Sequence, residues 1–153
     1  MNKPKPRVRD PYEAGVIVAP SRVLRLPLEA RFVGVLDSRR EGRGLTLIHP
    51  RTRCIRRFDV HELIVTDEPG AGPGRPVNRC HYLGFVEFQA GGLLVEGDSL
   101  NVSGRVIGAV AGFDESHFPN HYNVVIKGPR LVTGIELGQK PGDPLIFAPS
   151  GVT

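Results

Sequence analysis

Glycine and proline interrupt this chain too often for a regular helix to persist between them, and that spacing limits the fold more than any other feature. The 19 glycines and 14 prolines separate brief runs of β-branched and aromatic residues, among them "RFVGVLD", "LTLIHP", "YLGFVEF", "YNVVIKG" and "PLIFAP". Short runs bounded by turn formers read as strands, and no segment repeats its apolar positions at the helical period. The best helical candidate is "DVHELIV", where Asp59 would cap and Glu62 would answer it three residues on. Its β-branched end limits the expectation to one or two short helical turns. The predicted class is all-β: a small closed or nearly closed β-barrel of about eight to ten short strands.

With 153 residues the chain suits a single domain with its own core. Residues 1–13 read as a flexible arm and residues 14–153 as one β-barrel domain. Within it, "DEPGAGPGRPVN" (residues 67–78) reads as a linker between a basic half, 14–66, and an acidic half, 79–149. Residues 1–79 hold 16 basic and 9 acidic side chains, whereas residues 80–153 hold 4 and 7. A basic half can face nucleic acid or an anionic ligand. No nucleic-acid-binding motif accompanies it, so nucleic acid is not the expected partner. Arg51, Arg53, Arg56 and Arg57 alternate with other residues as on the exposed face of a strand. Such an edge tolerates a defined neighbour, and the expected assembly is a homodimer. No apolar run reaches the roughly 20 residues of a membrane span, and no apolar signal segment follows the charged start. A cytoplasmic protein without membrane contact is expected. Cys54 and Cys80 lack the spacing of a zinc or redox pair.

The stretch "FDESHFPNHYN" (residues 113–123) gathers two histidines, two acids and two asparagines in one connection. Pro119 excludes a regular helix there, so His117 and His121 fall on a loop or strand edge. A histidine beside a carboxylate can move protons near neutral pH, and an amide can hold a developing oxyanion. The candidate catalytic residues are therefore His117, His121, Asp114 and Glu115. Asn120, Asn123, His81 and Tyr122 are the candidate substrate contacts. No cofactor is expected. A divalent metal, if held, would take His117, His121 and Asp114 as ligands, but the helical His-Glu-x-x-His arrangement is absent.

Residues 91–147 resemble the later part of the glucitol/sorbitol-specific IIA component of the bacterial phosphotransferase system. The resemblance is carried by "GDSLNVSG", "IGAVAGF", "ESHFPNHYNVVIKG" and "PGDPLIF". It implies a small closed β-barrel and sets His121 where that family has the histidine of a Gly-His pair. The family's phosphorylated histidine lies earlier, in the region that here holds His49 and His61.

The leading functional expectation is a small β-barrel enzyme of isomerase, cyclase or lyase type, acting on a small metabolite through histidine and carboxylate. The alternatives are a ligand-binding or phosphocarrier module of the IIA kind and an oligomeric scaffold.

Overall fold

The computed structural model describes residues 24–150; the expected arm, residues 1–13, lies outside them. Eleven strands follow in order: β1 (Leu28–Arg40), β2 (Leu45–Thr46), β3 (Thr52–Ile55), β4 (Val60–Thr66), β5 (Pro76–Val77), β6 (Cys80–Phe88), β7 (Gly92–Val95), β8 (Ser99–Val102), β9 (Arg105–Asp114), β10 (Asn123–Lys127) and β11 (Pro144–Ala148). Seven of them form one mixed sheet in the order β1-β11-β8-β9-β10-β4-β6, which returns to β1. All its pairings are antiparallel except β10 on β4, where Asn123 lies opposite Glu62 and Lys127 opposite Thr66. The other four strands make two small ribbons, β2 with β5 and β3 with β7.

This corrects the expected fold. The chain is not one barrel of eight to ten strands but eleven strands in three sheets, with parallel and antiparallel pairing combined. The expected helical turn at residues 59–65 is also absent. Val60–Thr66 is a strand whose last six residues are all buried. Burial on both faces erases the in–out alternation that identifies a strand, so the run is ambiguous when read by periodicity.

Two clusters cover the two faces of β4. Inside the ring, Phe32, Leu63, Val65, Leu83, Phe88, Phe113, Val124 and Phe147 pack as the main core. Burying each such side chain is worth about 1.5–3 kcal/mol. On the outer side, Ile64, Cys80, Tyr82, Ala111 and Val125 are roofed by Leu45, Leu47, Ala71 and Val77 from the β2–β5 ribbon and its loop. The glycine- and proline-rich stretch 67–78 thus carries part of this second core, and Pro76–Val77 joins a ladder with β2. At Gly84 (φ +148) a Cβ would fall 2.1 Å from the Gly34 carbonyl oxygen. The β1–β6 pairing is irregular between Phe32 and Gly34 and again between Val35 and Ser38, and β4–β6 shifts between Leu63 and Ile64.

Candidate functional site

The connection from β9 to β10, residues 115–122, is a run of tight turns. The amide of Phe118 donates to the Glu115 carbonyl at 2.9 Å, and that of Asn120 to the His117 carbonyl at 2.9 Å; the Phe118–Pro119 peptide is cis. Asp114, 3 % exposed, ends β9 and organises the connection. Its Oδ2 accepts hydrogen bonds from the Ser116 amide and hydroxyl and, at 2.8 Å, from the Asn123 Nδ2. This is the turn-building use of an aspartate.

The rings of His117 and His121 stack with centroids 5.0 Å apart. His117 is exposed and accepts at Nε2 from the Arg43 guanidinium, 3.2 Å away. His121 is half-buried, with the ring of Phe85 edge-on at 5.1 Å. Burial and the neighbouring His117 lower its pKa, while Asn123 and Asp114 oppose the shift. His121 Nε2 and Asn123 Oδ1 are both buried, and neither has a partner in full hydrogen-bonding geometry.

A cavity opens on each side of this histidine stack. The first, about 440 Å³, is lined by Leu36, Ser38, Arg40, Arg43, Glu62, Tyr82 and His117. Glu62 projects from β4 on the side opposite Leu63, beside the second core, and is 7 % exposed. Its carboxyl makes no hydrogen bond or ion pair among the described residues. Burial pushes its pKa up to about 7, with Asp114 adding to the rise and Arg43 opposing it. Arg43 donates from Nε to the Tyr82 hydroxyl at 2.9 Å and from Nη2 to His117 and, at 3.4 Å, to Ser116 Oγ. Burial raises the Tyr82 pKa, and Arg43 works against it.

The second cavity, about 400 Å³, is lined by Arg53, Arg56, Phe58, His61, Phe118, His121 and Tyr122, among others. Arg53 reaches Glu115 Oε1 at 3.2 Å, and its guanidinium carbon lies 3.5 Å from the Tyr122 ring centre. His61 Nδ1 accepts the Tyr122 amide at 3.1 Å. Burial lowers the His61 pKa, with Asp59 opposing and His121 and Arg53 adding to the fall. A larger depression, about 810 Å³, lies elsewhere, between β1, β11 and the 101–104 turn. There Arg31 is paired with Glu87, and Asp143 accepts the Lys140 amide.

Several expectations are overturned by this geometry. The stack brings His117 and His121 together, but Asp114 is committed to its turn and Glu115 to Arg53, so neither carboxylate orients a histidine as an acid–base partner. Among the described residues no group of three or more His, Cys, Asp or Glu side chains is placed to hold a metal. The isomerase, cyclase or lyase assignment through these residues is withdrawn. Asn120 is exposed and meets His121 Nδ1 at 3.3 Å, Asn123 is fully buried, and Tyr122 is under Arg53. His81 lies on β6 next to Tyr82, so its side chain takes the opposite face, and it lines neither cavity. His61, which with His49 lies in the region where the resemblance placed a phosphate acceptor, is 7 % exposed with Nδ1 already bonded. The arginine-bearing strand on which the dimer expectation rested pairs one edge internally, β3 with β7, and its Arg53 turns onto Tyr122. Among the described residues no helix is long and apolar enough to cross a membrane.

Glu62, Arg43, Tyr82 and Arg53 were not singled out as site residues from the sequence. The available signal was one acid inside an otherwise apolar β-branched run, "VHELIVT", which the capping-box reading explained away.

A family model described as "Family of unknown function (DUF6917)" matches residues 22–148. It covers the whole segment that carried the likeness to the phosphotransferase IIA component and replaces it. No curated protein and no solved structure matches the chain.

Proposed function

The chain belongs to the DUF6917 family, and from the geometry we propose that it binds a small anionic organic molecule in the Glu62 cavity. The observation that carries the proposal is Glu62 itself: a carboxyl 7 % exposed, facing a cavity, with no partner among the described residues. An unpaired buried carboxyl costs stability, and such groups concentrate at binding sites.

Arg43 supplies the complementary feature. Its three hydrogen bonds go to a hydroxyl, an imidazole and a second hydroxyl, none of them anionic. The guanidinium is therefore held in place while its charge still faces the cavity without a carboxylate on it. A ligand carboxylate or phosphate would complete that charge pair. Glu62, with a pKa near 7, keeps its proton for a large share of molecules at neutral pH and donates it to a ligand carbonyl or hydroxyl oxygen. Small 2-oxo and 2-hydroxy acids present both groups. The proposal is one of binding; no bond-making step is assigned to it.

Calorimetric titration with a panel of 2-oxo and 2-hydroxy acids tests it. Arg43→Met should weaken the best binder by about tenfold or more. Affinity should fall as pH rises through about 7, because ionised Glu62 repels the anion. Glu62→Gln keeps a donor without a titration and should bind with a flat pH profile over that range. Binding unchanged by Arg43→Met in a folded protein would refute the reading.

A further inference from the structure

We infer that the groove on the other side of the histidine pair is a second binding site, built for a planar aromatic ring that carries an oxyanion. It shares no lining residue with the Glu62 cavity.

Phe58 is the first observation. It has φ +72 and its ring is 55 % exposed. A bulky aromatic in the left-handed region is strained and uncommon, and burial of the ring does not compensate here. The turn enforces the conformation: the Phe58 amide donates to the Phe88 carbonyl at 2.7 Å, the Asp59 amide to the Arg56 carbonyl at 3.0 Å, and Asp59 Oδ2 accepts the Arg56 amide at 2.9 Å. The result is an aromatic ring held at the groove mouth, with the Arg57 guanidinium carbon 4.6 Å from its centre on one face and the other face left to a ligand. Phe118, 57 % exposed, lines the same groove and packs on Tyr122 with centroids 5.2 Å apart. Two exposed aromatic rings at one groove suit a flat ligand that stacks.

The donors form the second observation. The stacking of Arg53 on Tyr122 fixes its guanidinium plane, and Arg53 Nε is buried with no hydrogen-bond partner. His61 takes a backbone N–H at Nδ1, which places the proton of the neutral ring on Nε2. Asp59 Oδ2 lies 4.0 Å from that Nε2, beyond a hydrogen bond. Arg56, its side chain 90 % exposed, stands at the rim. The Arg53 guanidinium, His61 and Arg56, the last ion-paired with Asp59 at 3.6 Å, thus border one groove. Glu115 and Asp59 neutralise part of this charge, which favours a single carboxylate or phosphate over a polyanion.

The shared chemistry is an oxyanion on an aromatic or heteroaromatic ring, and two probes separate its sources: benzoate for aromatic carboxylates and adenosine monophosphate for nucleotides. Cyclohexanecarboxylate and inorganic phosphate control for the ring and the bare anion. Titrations followed by 15N-resolved NMR should show saturable shifts of the Arg53 Nε and Tyr122 amide signals with benzoate or adenosine monophosphate. The matching control should bind at least about fivefold more weakly. Arg53→Lys keeps the charge but loses the planar fork, and should weaken the active probe by about tenfold. Phe58→Asn suits the left-handed turn without the ring and should weaken it similarly while the protein stays folded. The inference is overturned by the absence of saturable shifts with both probes, by controls that bind as tightly, or by retained affinity in both folded variants.

Discussion

Glu62 lies directly opposite Asn123 in the β4–β10 ladder, and Asn123 in turn donates to Asp114. Two acids therefore sit near one amide, with Arg43 the cation that reaches the same region. Because burial raises the Glu62 pKa to about 7 from an ordinary 4.5, the folded protein holds a proton there that the unfolded chain releases. Between those values the native state binds more protons, so this group's contribution is complete below about pH 4.5 and is lost as pH rises through about 7. The stability difference between the wild type and Glu62→Gln should change by about 3 kcal/mol over that window, measured by urea unfolding at several pH values. A difference that does not vary with pH would refute the buried-acid assignment. Arg43→Met removes the cation that holds the shift down, so the Glu62 carboxyl should titrate higher still, which carboxyl 13C NMR reads directly. The sequence exposed little of this at the residue scale. It marked residues 114–123 as chemically dense, and the structure does set that segment between the two cavities. It could not show that Asp114 is consumed by Ser116 and Asn123, because a turn-capping aspartate and a catalytic one have the same local neighbours.

At the scale of the elements, the turn chemistry was the legible part. The "SG" turn appears with Ser103 at φ +53 and Gly104 at +75, joining β8 to β9 as an antiparallel pair. Strand β4 was less legible, since its pairing with β6 on one side and β10 on the other, and its burial on both faces, depend on partners remote in sequence. A capping-box pattern is a local preference, and tertiary pairing overrode it. The meeting of β1, β4 and β6 also explains Gly84. A side chain there would strike the Gly34 carbonyl and would occupy a backbone region hostile to a Cβ. Gly84→Ala should cost about 3 kcal/mol or more in chemical unfolding. At Gly42 an added Cβ would meet nothing within 4 Å, and alanine should be accepted there within about 0.5 kcal/mol. Equal costs at the two positions would remove the steric account.

For the whole molecule, the chain is anchored where it enters the ring. Arg25 grips Asp98 with two hydrogen bonds of 2.7 Å, and Asp98 Oδ2 also accepts the Val95 amide at 2.9 Å. The two side chains are only 6 % and 2 % exposed, while Leu24 and Leu26 on either side of Arg25 are 92 % and 83 % exposed. The segment before β1 is thus held by a charge rather than by its leucines. Asp98→Ala would leave a buried guanidinium without its counter-ion and should destabilise the protein by about 3–5 kcal/mol. A loss below about 1 kcal/mol would show that the pair is not the anchor. The basic-to-acidic division of the sequence is spanned by such pairs: Arg25 with Asp98, Arg53 with Glu115, Arg39 with Glu136. Opposite charges in the two halves were visible in the sequence; which of them meet was not. The parallel seam between β4 and β10 joins residues some sixty positions apart and supplies Glu62, His61 and Tyr122 to the cavities on its flanks. Closing that seam and forming the two cavities are one event, because β4 carries residues that line both and Tyr122, just before β10, lines one. A molecule that binds in either cavity should therefore favour the closed seam and raise the melting temperature as its concentration rises.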